Sequence, residues 1–341
     1  MSVYELDPVR DPRWTAFVQQ SSRASVFHTT DWLRALERTY EYVPVVYTTS
    51  APGSQLQNGW VFCRIRSWLT GCRLVSLPFS DHCDPLVDNP GDFEELFKAL
   101  YHECTTHRWG YVESRPLRAE LDVGDFERSC TFCVHRLNLN QDIDELFHAF
   151  HKDSTQRKIR RAERERLTFE EGRSEVLLDQ FYRLIVLTRR RHQLPPQPRK
   201  WFSNLIRCMG DQLIIRVASH QKVPVAGILT LRFKNSLTYK YGCADKRCFR
   251  LGAMQMLLWR AIKEAKESGL KVLDLGRSEW SNKGLITFKD RLGAMRVPIS
   301  YFRYPAGVRQ SSYGKHVKGI LSALPDWLFI NIGTLLYKHF S

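Results

Sequence analysis

Acidic residues are scarce in this chain: 36 Asp and Glu stand against 51 Lys and Arg among 341 residues, a formal charge of +15. That balance argues for an anionic partner, whether nucleic acid, a phosphorylated substrate or an acidic membrane face, without choosing among them. Long hydrophobic runs are missing as well. No stretch of about 18 apolar residues occurs, so no spanning helix is expected, and the opening MSVYELDPVRDPRW lacks the basic-then-apolar layout of a signal peptide. The expected location is the cytoplasm, with peripheral contact at the inner membrane face left open. Zinc-ligand spacing is absent too. Cys130-Thr-Phe-Cys133 is the only Cys-x-x-Cys, and neither a second such pair nor a His-x-x-x-His stands at zinc-finger distance. The nine cysteines are an odd number scattered through core-like sequence, as buried thiols in a reducing compartment would be. No metal is expected. Without a Gly-x-Ser-x-Gly elbow or a Cys/His pair in an activating context, a covalent acyl-enzyme is not expected either.

What the sequence does contain is enough apolar material for two cores. The chain is 43% hydrophobic over 341 residues, and about 150 residues per domain suffice to bury roughly two-thirds of the unfolded surface. An approximate internal repeat divides it. In the first half, Val43–Thr48, Gly59–Arg66 and Arg73–Pro78 have strand character and lead to the polar loop Ser80–Pro85. A helix from Asp92 to Thr106, with Phe93, Leu96, Phe97, Leu100 and Tyr101 on one face, precedes the strand Trp109–Arg115. The second half answers with strands Leu213–Ala218, Val225–Phe233 and Ser236–Tyr241, the cationic loop Gly242–Leu251, the helix Gly252–Ser268 and the strand Leu270–Ser278. Each half thus has helix, glycine-bearing turn, strand and a terminal arginine, Arg115 or Arg277.

Between the halves, Asp142 is placed to cap a helix over Ile143–Phe150 and Ser154 a second one reaching Arg166. A further helix spans Glu175–His192 before the loop Gln193–Arg199, where Pro195-Pro196 prevents helix. Arg157, Arg160, Arg161 and Arg164 fall on one helical side, and Arg189-Arg190-Arg191-His192 forms a second basic cluster. The segment from Gln310 is strongly apolar near Trp327, Leu328, Ile330, Leu335 and Leu336, with Lys338 and His339 beyond. It suits either a final packed helix or peripheral membrane contact. The expected organisation is an N-terminal domain over 1–140, a basic helical connector over 141–200, a C-terminal domain over 201–308 and an amphipathic tail over 309–341.

Tyr239-Lys-Tyr-Gly-Cys-Ala, the helix Met254–Ala265, Leu273-Asp-Leu-Gly-Arg-Ser278, Gly284-Leu-Ile-Thr-Phe-Lys-Asp-Arg-Leu-Gly293 and, near the start, Phe27-His-Thr-Thr-Asp-Trp-Leu33 resemble the Fem-type members of the GNAT superfamily. These include the aminoacyltransferases of peptidoglycan bridges and the polysaccharide-associated acetyltransferases. The likeness covers residues 25 to 305. It implies tandem GNAT-like α/β units with mixed sheets flanked by helices, and transfer of an acyl or aminoacyl group to an amine or hydroxyl by direct attack. The acceptor it implies is a cell-envelope or polysaccharide precursor.

By this resemblance Lys289, in the Phe-Lys element, lies by the reacting carbonyl or a substrate phosphate, where a compact charge supports a developing oxyanion. Lys289→Met is therefore expected to abolish turnover and leave the thermal midpoint nearly unchanged. Glu279 is a candidate proton acceptor. Tyr241 is a candidate acid for protonating the leaving group, and it and Tyr239 are expected on one face of their strand. Arg247, Arg250, Gly252 and Ala253 stand where the family cradles a pyrophosphate at a helix start, with arginine at 250 where glycine is usual. Arg277 and Asp274 at the strand end, Asp81 and His82 in the first-half loop, and Arg157 and Arg160 on the basic helix are candidate substrate contacts. Arg247, Arg277 and Lys289 are expected to share a pocket. Acyl-CoA is preferred as donor over aminoacyl-tRNA, because no long coiled-coil arm follows the basic helices as it does in many tRNA-dependent relatives. The rival from another class is a non-catalytic protein binding nucleic acid or membrane through those helices.

Overall fold

A computed structural model describes residues 2–107, 109–117, 126–307 and 324–339. In chain order the elements are β1 (Tyr4–Leu6), α1 (Pro12–Gln20), α2 (Thr30–Tyr40), β2 (Val43–Thr48), β3 (Trp60–Ser67), β4 (Gly71–Ser76), α3 (Pro90–Thr106), β5 (Tyr111–Ser114) and β6 (Glu127–Asn138). Then come α4 (Ile143–Ala149), α5 (Arg157–Arg164), β7 (Thr168–Gly172), α6 (Glu175–Arg191), α7 (Arg199–Met209), β8 (Leu213–His220), β9 (Val223–Phe233) and β10 (Ser236–Ala244). The series closes with α8 (Ala253–Glu267), β11 (Val272–Glu279), α9 (Lys283–Asp290), β12 (Met295–Tyr304) and α10 (Asp326–Leu336).

The described residues divide into two compact units, one drawn from within Met1–Thr131, Ile299–Ser312 and Leu335–Ser341, the other from within Phe132–Pro298 and Tyr313–Thr334. In the first, the strands lie in the order β1-β2-β3-β4-β5-β12, antiparallel except that β5 runs parallel to β4. In the second the order is β6-β11-β10-β9-β8-β7, antiparallel except that β11 runs parallel to β10. A parallel pair needs a crossover, and α3 supplies it in one unit as α8 does in the other. The repeat legible in the sequence is therefore a repeat of topology.

Local chemistry explains the elements that shape each unit. Asn89 caps α3, its Oδ1 accepting from Gly91 N at 2.8 Å, with Pro90 at the first helical position. Leu96, Leu100 and Cys104 then pack on Trp60, Phe62, Leu74 and Val112. Tyr101, expected inward, is 46% exposed, because the buried stripe runs through 96, 100 and 104. A charged cluster is embedded in this unit. Glu113, 2% exposed, accepts from Arg115 Nε at 2.7 Å and from Arg303 Nε at 2.7 Å, and Tyr301 lies against the Arg115 guanidinium at 5.0 Å. The terminal arginine of the first half is thus held in a buried ion-pair network.

In the second unit α4, α5 and α8 share a core with one sheet face, where Leu137, Ala226, Ile228, Leu257 and Leu273 meet. The opposite face carries α6: a Cβ on Gly227 would come within 2.8 Å of the Phe181 ring. Asp142 and Glu145 form a capping box at α4. Ser154, expected to cap the next helix, lies inside it. The cap is His151, whose Nδ1 accepts from Ser154 N at 3.3 Å and starts a π turn over Lys152–Gln156 that runs into α5. The loop expected from Gly242 begins later, since β10 continues to Ala244 and a 3-10 turn over Lys246–Leu251 follows.

Residues 309–323 and 340–341 of the expected tail lie outside the described residues. Of the rest, α10 packs as a helix in the second unit, with Phe329 fully buried under the Arg190 guanidinium at 4.5 Å while Trp327 remains 65% exposed. Residues 337–339 are fastened in the first unit, where Arg73 donates to His339 O at 2.7 Å and Tyr42 to Lys338 O at 3.0 Å. Among the described residues no helix is long and apolar enough to cross a membrane.

Candidate active site

The strands that run parallel in the second unit part company early. Pairing of β10 with β11 runs from Ser236↔Val272 to Thr238↔Asp274 and stops. Immediately beyond, β10 bulges between Tyr239 and Tyr241 and β11 between Asp274 and Arg277. A bulge adds an unpaired residue and bends its strand, so both strands turn away at their carboxyl ends, where open α/β sheets collect their sites.

The β11 bulge is built by its own side chain. Asp274, 5% exposed, accepts from Gly276 N through Oδ1 at 2.7 Å. Gly276 sits at φ +69°, the left-handed region glycine occupies without strain. The turned backbone aims two carbonyls at one ammonium: Lys289 Nζ donates to Gly276 O at 2.8 Å and to Arg277 O at 3.1 Å. Lys289 comes from the last turn of α9, which Asn282 caps by accepting from Leu285 N at 3.1 Å. At 2% exposure it is a buried cation held by strand-end carbonyls.

Sequence reasoning passed over His135. It stands on β6 between Arg136, paired with Asp274, and Val134, paired with Arg277, and so faces the bulge. It is fully buried, with Nε2 3.3 Å from Asp290 Oδ1. Burial and then the Lys289 charge push its imidazole below its usual value, against the opposing pull of Asp290. Asp290 is held below the usual carboxylate range, chiefly by Arg296, whose Nε donates to Oδ1 at 2.7 Å. A histidine at a buried position in an otherwise apolar-alternating strand was the available signal.

The other candidates separate. Arg277 joins Lys289 at the bulge, its guanidinium 4.5 Å over the Phe132 ring. Glu279, at the exposed end of β11, accepts from Ser281 Oγ at 3.5 Å. The two tyrosines do not share a face, as strict alternation had implied, because the bulge between them reverses the pleat. Tyr239 turns toward α8, donating to Met254 Sδ at 3.9 Å, while Tyr241 Oη accepts from Trp201 Nε1 at 2.8 Å and Gln197 Nε2 at 3.1 Å on the α6 side. Asp81 and His82 belong to the first unit, where Tyr301 Oη donates to Asp81 O at 2.8 Å and the His82 ring meets Phe27 edge-on at 5.6 Å. Arg157 pairs with Asp153 at 3.2 Å, and Arg160 lies over Phe147 at 5.5 Å.

The presumed pyrophosphate cradle is roofed. Gly252, at φ +80°, lies so close beneath α5 that a Cβ would come within 2.1 Å of Lys158 O. Ala253 and Gln255 in the first turn of α8 are buried at 5% and 7% exposure. Arg247 makes its bonds within the turn, where Asp245 caps it and accepts from its Nη2 at 2.7 Å, and Arg250 is exposed. Gly252→Ala should therefore lower the thermal midpoint by several degrees, since left-handed strain of about 1–3 kcal/mol adds to a backbone clash. A melting curve at the wild-type midpoint would refute this close packing.

The fold is similar to that of tandem GNAT proteins. Residues 149–289 match the family model of the acetyltransferase (GNAT) domain. Among solved structures it is similar to FemX, at 14% identity over 89% of this chain and 97% of that one, TM-score 0.67. It is also similar to the C-terminal domain of a protein from Agrobacterium fabrum assigned as a lysylphosphatidylglycerol synthetase, at 15% identity over 87% and 91%, TM-score 0.54. A tandem GNAT protein from the clavulanic acid biosynthesis pathway matches at 10% identity over 91% and 99%, TM-score 0.54. Comparison with curated proteins returns no match.

Proposed function

We propose that this enzyme transfers an aminoacyl group, carried as an ester on charged tRNA, to an amine or hydroxyl of a cell-envelope precursor. The observation that carries the donor is the roof over α8. A coenzyme pyrophosphate needs the first-turn amides and the helix dipole, and here α5 occupies their approach. This outweighs the preference for acyl-CoA drawn from the missing coiled-coil arm. The FemX-like fold and the neighbour named for lysylphosphatidylglycerol synthesis support an aminoacyl group and an envelope acceptor.

The chemistry follows from the bulge. The acceptor nitrogen or oxygen attacks the ester carbonyl, the new bond to carbon forms as the bond to the ribose oxygen breaks, and the acceptor's proton passes to Glu279, directly or through water, and from there to the departing ribose oxygen, which leaves as a hydroxyl. Lys289, pinned by two carbonyls, places positive charge where the oxyanion develops, a contribution of about 10²–10³ in rate for such groups. Arg277 and Asp274 hold the strand end that aims it, and no enzyme nucleophile is required because alignment of donor and acceptor supplies much of the acceleration.

Incubating the protein with tRNA charged with labelled amino acids, or with labelled acyl-CoA, and with amine acceptors tests the reading. Label should move from tRNA to an acceptor-dependent product, and acyl-CoA should neither turn over nor shift the melting temperature. Transfer from acyl-CoA with none from charged tRNA would overturn it.

A further inference from the structure

The turn entering α8 displays a feature that acyl transfer itself does not use. Phe249 is 44% exposed at the tip of the turn, and the Arg191 guanidinium from the end of α6 is layered over its ring at 4.9 Å. Lys246 and Arg250 are exposed on either side, and Arg191 is anchored by donating from Nη1 to Ala244 O at 3.2 Å. The surroundings are electropositive: burial, then the charges of Arg191 and Arg189, push His192 below its usual value. Asp245 offsets Arg247 within the turn. The turn meets α5, on which Arg157 and Arg164 are exposed and Arg157 is partnered by Asp153.

A flat ring stacked with a guanidinium and flanked by cations is what single-stranded nucleic acid needs, since every base has a face to stack and every linkage a charge to neutralise. A bilayer is the poorer fit, for the turn offers one exposed apolar side chain where interfacial docking needs an apolar face. We infer that Phe249 is a base-stacking platform and that Arg191, Lys246 and Arg250 are phosphate contacts for the single-stranded end of an RNA. The choice of RNA rests on the donor proposed above, whereas the site rests on the turn itself.

The probe is an uncharged, labelled single-stranded RNA of about twelve nucleotides, followed by fluorescence anisotropy across a salt series. Phe249→Ala should weaken binding about tenfold, in line with the stacking energy of one base, while Phe249→Trp should retain it. Arg191→Gln and Arg250→Gln should each reduce the log–log salt slope by about 0.7. The three substituted side chains are on the surface, and unchanged melting curves would confirm intact variants. Equal affinity for wild type and Phe249→Ala, a flat salt response, or loss of anionic-vesicle binding in Phe249→Ala with RNA binding intact would each overturn the site. Phe249-dependent RNA binding in an enzyme that turns over only acyl-CoA would instead sink the donor reading and leave the site standing. Transfer from charged tRNA by a Phe249→Ala variant of unaltered RNA affinity would do the reverse.

Discussion

Lys289→Met is expected to lower turnover by about 100- to 1,000-fold, the range for losing one group that stabilises an oxyanion. The sequence alone implied a variant of unchanged stability, and the structure revises that half of the expectation. Lys289 is 2% exposed and is a donor to both Gly276 O and Arg277 O. A methionine leaves those carbonyls without it, at about 1–3 kcal/mol for a buried group left unpaired, so the melting temperature should fall with the activity. A companion variant separates chemistry from folding. Gly276→Ala keeps the ammonium but strains a backbone at φ +69° and displaces the carbonyls that aim it. Its turnover should fall while the lysine remains. Turnover within threefold of wild type in Lys289→Met, measured on protein that is still folded, would remove the residue from the chemistry.

Glu113→Ala is expected to be the most destabilising single change in the first unit. It leaves the buried guanidiniums of Arg115 and Arg303 without their shared carboxylate, and breaking a buried pair from one side costs about 3–5 kcal/mol. At about 2–4 °C per kcal/mol for chains of 150–250 residues, the midpoint should drop by roughly 6–20 °C. The pH dependence has a definite sign. Burial alone would raise the Glu113 carboxyl, but Arg115 and Arg303 outweigh it and hold it below the usual carboxylate range. A carboxyl depressed in the folded state contributes stability above its unfolded value, near 4.5, and that contribution is lost as pH falls through the folded value. The wild type should therefore lose stability on the acid side more steeply than Glu113→Gln. Parallel acid limbs for the two proteins would show that the carboxylate does not hold the cluster together.

Much of the second unit was legible because its signals are local. The run Met256, Leu257, Ala261, Ile262 has helical period, and all four are buried on α8. Asp142 with Glu145 three residues on formed the capping box that such spacing predicts. Ser154 misled because its hydroxyl is equally suited to a cap or to a bond with His151, and which is made depends on the π turn before α5. The tyrosines misled for a similar reason. Alternation puts residues 239 and 241 on one face, and a single inserted residue in β10 puts them on two.

From the sequence alone came the doubled order of strands and helices, the basic character of the connector, and Lys289, Asp274 and Arg277 as residues to watch. Period, capping and composition are properties of neighbours in the chain, and they survive folding. Only the tertiary structure decided that Asp274 shapes a bulge, that His135 backs the same bulge from β6, and that α5 roofs the helix start where a pyrophosphate would be expected. Each of these depends on a strand register or a helix approach between segments far apart in sequence. Such approaches are set by how whole apolar faces pack, and no local pattern encodes them.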